Sequence, residues 1–140
     1  MSGIVIDRVV DWQDTDASGH YHHGTVIRWV EAAEAAYLAE RGLTQLFGRI
    51  PRVRYEVDYL DRLWFGDTVS VRLSLARIGT ASLRYEFTVT RVAADRALAA
   101  RGSLTIVHAP DSGAEPWPEP LAAALGGPPR EPFPLSPTHS

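Results

Sequence analysis

One long stretch of three- and four-residue hydrophobic spacing sits in a chain that otherwise alternates every second residue. This limits the fold to one principal helix laid on one sheet. From about Gly24 to Arg41, the residues Val26, Trp29, Val30, Ala33, Ala36 and Tyr37 share a helical face. Arg28, Glu31 and Glu34 fall on another arc. Gly24 or Thr25 suits the start of this helix, and Gly42 stands where a C′ glycine ends one. Ile4 to Trp12 is rich in β-branched residues and reads as a first strand. After Pro51 the period becomes two: strands are predicted at Arg52 to Leu60, Thr68 to Ile78, Leu83 to Thr90 and Ala97 to His108. Turns fall at Gly66-Asp67, Gly79-Thr80 and Ala93 to Arg96. Short links between consecutive strands predict antiparallel hairpins. The class is α+β, with one helix available to cover one sheet.

The 140 residues suit one domain with a proper core, and 45% hydrophobic with 22% charged content is ordinary for a globular chain. A net charge of −3 argues against a nucleic-acid partner, which selects a basic face. With no cysteine, disulfides and thiolate chemistry are excluded. No secretion signal and no membrane span is read, so a cytoplasmic protein with no membrane partner is expected. Prolines crowd the region after Pro110, where a sheet cannot continue. The expected division is a domain over 1–109 and a proline-rich extension over 110–140, draped on the surface or mobile, with a short helical turn at Glu119 to Leu125.

Candidate chemistry lies just ahead of the helix, in Asp14-Thr15-Asp16-Ala17-Ser18-Gly19-His20-Tyr21-His22-His23-Gly24. Closely spaced carboxylates raise one another's pKa and can leave one as a usable base. Aspartates also serve plain Asx turns in loops. His20, His22 and His23 invite a metal, but adjacent imidazoles rarely both reach one ion and no second ligand cluster appears, so none is expected. His23 stands at the helix entrance, where unpaired N–H groups and the helix dipole polarise a carbonyl oxygen. The serine-hydrolase elbow and the phosphate-binding glycine loops are absent.

The loop and helix, Trp12 through Ala33, resemble the opening of the 4-hydroxybenzoyl-CoA thioesterase family of hotdog-fold proteins. Tyr55 to Leu60, Phe65-Gly66-Asp67-Thr68-Val69 and Arg77 to Leu83 are similar to later family segments in the same order. The resemblance covers residues 5 to 108. It implies a curved, antiparallel five-stranded sheet wrapped around a long helix and paired into a homodimer or homotetramer.

It also implies a division of labour. Asp16 aligns with the catalytic carboxylate, and His23 occupies the position whose N–H meets the thioester oxygen. Asp14 supports the loop. Gly24, Tyr21, Val26 and Ser82 are the substrate-binding candidates; Val26 replaces an aromatic residue of many relatives and reshapes the acyl pocket. Glu31, and after it Glu34, is the fallback acid, because another hotdog branch takes its acid from the helix. The expected activity is hydrolysis of an acyl thioester of coenzyme A or of an acyl carrier protein. No cofactor is expected beyond the coenzyme A or phosphopantetheine of the substrate. The alternative is a hotdog module that binds acyl thioesters or a partner without hydrolysis.

Overall fold

A computed structural model describes residues 2–15, 24–93 and 95–127. Strand β1 (Gly3–Val9) leads into a 3-10 turn at Trp12–Asp14, and helix α1 spans Gly24–Glu40. A second 3-10 turn, Thr44–Leu46, precedes β2 (Arg52–Tyr59), β3 (Thr68–Ile78), β4 (Ser82–Arg91) and β5 (Leu98–Val107); α2 (Glu119–Gly126) follows. The helix stops because Gly42 takes φ +69°, the left-handed conformation that a C′ glycine supplies without strain.

The strands form one antiparallel sheet in the order β1-β3-β4-β5-β2. β3, β4 and β5 are the consecutive hairpins that the alternation predicts. The link from β2 to β3 is not a hairpin. β3 spends one edge on β1 (Ile6 opposite Val71) and the other on β4 (Val71 opposite Val89), so β2 takes the free edge of β5, with Tyr55 opposite Leu104.

Alternation then decides the faces. Val69, Val71, Leu73 and Leu75 of β3 and Leu83, Tyr85, Phe87 and Val89 of β4 are buried. They form one core with Val26, Trp29, Val30, Ala33, Ala36, Tyr37 and Leu38 of α1. The opposite face of the sheet carries exposed ion pairs, Arg54 with Glu56, Arg84 with Glu86 and Arg101 with Asp58. A helix laid on one face of a five-stranded sheet is the arrangement expected of a hotdog fold.

The proline-rich segment differs from the draped extension expected of it. Trp117 and Leu125 are buried in the same core. The Trp117 indole donates to the Ser82 carbonyl at 2.9 Å and stacks on His108 at 4.7 Å between centroids. The α2 terminus is clasped by α1: the Tyr37 hydroxyl donates to the Leu125 carbonyl at 2.5 Å, and the fully buried Arg41 donates to the Gly127 carbonyl at 3.0 Å. The Ser2 hydroxyl lies 2.9 Å from the same Tyr37 oxygen. Prolines preclude a sheet here, but they do not prevent an aromatic anchor and one amphipathic turn from reaching the core.

Candidate active site

The approach to α1 is fixed by a small polar network. The Asp11 side chain accepts from the Trp12 N–H at 2.9 Å and also from the Asp14 N–H, while Asp14 Oδ2 accepts from the Asp11 N–H at 2.8 Å; the two Asp11–Asp14 bonds make a reciprocal capping box. The other oxygen of the buried Asp14 takes a hydrogen bond from the Arg28 guanidinium at 2.6 Å. The Thr25 hydroxyl, fully buried in the first turn of α1, donates to the Asp14 carbonyl at 3.0 Å. The residues on either side of the Asp16–His23 segment are therefore bonded to each other. Trp12 stays exposed and meets Phe65 edge-to-face at 5.8 Å.

A second cluster lies further along the helix. Arg52, at the start of β2, donates from Nε to Glu31 at 3.0 Å and from both terminal nitrogens to Glu34. It also donates to the Ile50 carbonyl at 3.1 Å. Glu31 is partly exposed, whereas Glu34 is buried. Burial pushes the Glu34 carboxyl above the ordinary range, against the opposing pull of Arg52. The buried Tyr85 phenol is pushed well above its ordinary value by burial and then by the Glu34 charge. Among the described residues its oxygen has no partner at hydrogen-bond geometry. A cavity of about 670 Å³ opens beside Glu34 and Arg52, with Phe47, Ile50, Pro51 and Asp111 among its walls.

The sequence candidates divide accordingly. Asp16, Tyr21 and His23 lie outside the described residues, as do His20, His22 and His139. Gly24 is exposed at the first turn of α1. Val26 is fully buried in the core, so within this chain it does not line an open acyl pocket. Ser82 starts β4, and its carbonyl accepts from the Gly79 N–H at 2.8 Å. This hairpin is at the Ile78 end of β3, whereas α1 begins near the Thr68 end, about 30 Å of strand away. The single chain therefore does not bring Ser82 to the helix entrance. Trp29 and Tyr37 are core residues.

Arg28 and Arg52 were not singled out for these roles. Their partners lie 14 to 21 residues away, beyond the reach of helical or strand periodicity. Among the described residues, no group of three or more His, Asp or Glu side chains is placed to hold a metal ion. Among the same residues, no helix is long and apolar enough to cross a membrane.

Comparison with known proteins gives a consistent picture. Residues 10–125 match the family model of the thioesterase-like superfamily. A 1,4-dihydroxy-2-naphthoyl-CoA hydrolase of Thermosynechococcus vestitus is 28% identical over 130 residues, covering 89% of each chain. A thioesterase from Thermus thermophilus, solved with coenzyme A and zinc, superposes with a TM-score of 0.78 at 27% identity, over 86% of this chain and 90% of that one. A mutant 4-hydroxybenzoyl-CoA thioesterase in complex with 4-hydroxybenzoyl-CoA shares the fold at a TM-score of 0.78 and 18% identity, over 88% of this chain and 98% of that one. The fold is the hotdog fold, and the chain belongs to the thioesterase-like superfamily.

Proposed function

We propose that the chain hydrolyses the thioester of an acyl-coenzyme A, with Asp16 as the reacting carboxylate and the opening turn of α1 as the oxyanion site. The observation that carries this reading is the bond from Thr25 to the Asp14 carbonyl, together with the Asp14–Arg28 ion pair. Asp16 follows Asp14 by two residues, and Asp14 is tied to the first turn of the helix. The candidate carboxylate is thus two residues along the chain from a residue bonded to the first turn of α1, the turn whose N–H groups have no carbonyl partner within the helix. That is the pairing needed to attack a carbonyl and to hold the negative charge that develops on its oxygen.

Asp16 acts in one of two ways. It attacks the thioester carbon itself, giving an anhydride and releasing the thiolate, or it takes a proton from the water that attacks. His23 contributes its N–H and positions the water or the leaving thiolate. A pocket that includes both the helix entrance and Ser82 requires a second copy of the chain. That requirement supports the homodimer or homotetramer implied by the family resemblance.

The relatives support coenzyme A as the carrier and supply no argument for an acyl carrier protein. The first acyl group to test is 1,4-dihydroxy-2-naphthoyl, named for the curated relative. The experiment is an acyl-CoA panel followed with a chromogenic thiol reagent, for the wild type and for Asp16→Asn. Thiol release that falls by several orders of magnitude in Asp16→Asn is the expected result. Undiminished release in that variant removes Asp16 from the chemistry. Tight acyl-CoA binding without release assigns the chain to the non-hydrolytic alternative.

A further inference from the structure

The carbonyls of Thr80, Ala81 and Ser82, in the turn from β3 to β4, are all occupied. Thr80 accepts from the Trp117 N–H at 2.9 Å, and Ala81 accepts from the His108 N–H at 2.8 Å. Ser82 accepts twice, from the Gly79 N–H at 2.8 Å and from the Trp117 indole at 2.9 Å. All but the Gly79 bond come from the segment that follows β5. The donors of the turn are in the opposite condition. Among the described residues, nothing accepts from the Thr80 or Ala81 N–H, and the partly exposed Ser82 side chain makes no hydrogen bond. Gly79 leaves that hydroxyl its room, since a Cβ there would stand 2.6 Å from Ser82 Oγ. A turn with its acceptors satisfied and its donors open is complementary to the oxygens of a ligand.

The clamp that holds the turn is itself stiff. Pro116 and Pro118 flank Trp117, and each ring fixes its own φ; Pro118 also confines Trp117 to extended backbone. The buried indole stacks on the buried His108 ring, with 4.7 Å between centroids. His108 Nδ1 lies 2.9 Å from the Glu115 carbonyl, and the Glu115 N–H donates to the His108 carbonyl at 2.9 Å. The segment from His108 to Trp117 is thereby closed at both ends. A turn held in this way loses little freedom when a ligand docks on it.

We propose that Trp117 is a positioning residue for substrate binding: acting through the Gly79–Ser82 turn, it sets the Ser82 hydroxyl toward the acceptor oxygens of the coenzyme A arm. This rests on the acyl-CoA hydrolase reading above, in which the turn of one copy meets the helix entrance of another. It adds to that reading a part for the proline-rich segment. Trp117 touches no substrate; its work is done through the Ser82 carbonyl and the backbone of the turn.

The test uses the acyl-CoA turned over fastest in the panel above and the same acyl group on N-acetylcysteamine, which lacks the nucleotide and most of the arm. Trp117→Phe keeps a ring on His108 and removes the indole N–H; Ser82→Ala removes the hydroxyl. Circular dichroism checks folding. In each variant KM for the acyl-CoA is expected to rise about three- to tenfold with kcat within about twofold of wild type, the mark of binding shared by ground and transition states. KM for the short thioester is expected to stay at the wild-type value. The double variant should fall short of the product of the two single effects, because the indole acts through the turn that carries the hydroxyl. Fully multiplicative effects, equal losses on both thioesters or a loss confined to kcat overturn the proposal and leave the hydrolase reading standing. An unchanged KM for the acyl-CoA in Ser82→Ala does the same, and decides the matter even where Trp117→Phe does not fold. A wild type that hydrolyses neither thioester overturns the hydrolase reading, and the positioning role falls with it.

Discussion

Arg28 holds Asp14 at 2.6 Å across the junction between the first strand's turn and the central helix, and Asp14 is otherwise buried. The pair is local in space and 14 residues apart in sequence. Its guanidinium is half exposed, so screening keeps its direct contribution to stability small. Its effect is on position. Removing it by Arg28→Met is expected to lower acyl-CoA turnover roughly 10- to 100-fold, as small displacements at a reacting centre do, with little change in unfolding midpoint. Steady-state kinetics beside a thermal melt check both halves of the statement.

Asp14→Ala differs from Arg28→Met because it also dismantles the capping box. The variant is expected to lose about 1–2 kcal/mol of stability, the usual scale of a lost cap, in addition to activity. Urea unfolding of the variant against wild type reads the difference.

Glu34 makes a pH-dependent contribution whose sign follows from its environment. Its carboxyl is raised in the folded protein, chiefly by burial. A raised carboxyl favours the folded state most when protonated. Its contribution is full below the unfolded value near 4.5 and is lost as pH rises through the folded value. Glu34→Gln keeps the shape and removes the titration. Its stability relative to wild type should therefore climb as pH rises from 4 toward neutrality and then level off. A difference that stays flat across urea titrations from pH 4 to 8 counts against this assignment.

Arg41 is buried at the end of the helix, with its guanidinium 2.5 Å from Glu40, 3.0 Å from the Gly127 carbonyl and 3.7 Å above the Tyr37 ring. Arg41→Met strands the Glu40 carboxylate and unclasps α2. A loss of about 3 kcal/mol is expected, measured by urea unfolding, with faster proteolysis within residues 115–127.

Gly102 faces Val57 across the β2–β5 ladder, and a Cβ placed there meets the Glu56 carbonyl oxygen at 1.9 Å. Backbone must move to admit even a methyl group. Gly102→Ala is expected to cost about 3 kcal/mol, at the upper end for overpacking, and to loosen β2 from the sheet, which amide exchange along β2 reports.

Much of the fold was legible because the determinants were local. The alternation of β3 to β5 and the three-and-four spacing of α1 each follow from nearest neighbours, and Gly42 adopts the backbone conformation that its position demanded. What escaped depends on distant chain. The partner of β2 is set by which edges β1 and β4 leave free, and nothing inside residues 52–59 encodes that choice. Trp117 carried a signal, an aromatic among prolines with Leu121 and Leu125 spaced as one helical face, but proline content outweighed it in the reading.

Less of the site can be compared, because Asp16 and His23 lie outside the described residues. Asp14 was expected to support the loop on the family resemblance alone, and Arg28, which grips it, stood in the sequence only as part of a polar arc of the helix with Glu31 and Glu34. Arg52 sat among strand arginines that alternate toward solvent, as Arg54 and Arg84 do. Its recruitment to two helix carboxylates reflects the antiparallel course of β2 under α1, a property of packing.

The hydroxyl of Tyr37 touches both Ser2 and the carbonyl of Leu125. Opening and closing stretches of the described chain therefore meet on one phenol oxygen. A change at Ser2 and a truncation that removes Leu125 are felt by the same atom, so the two positions cannot be engineered as independent handles.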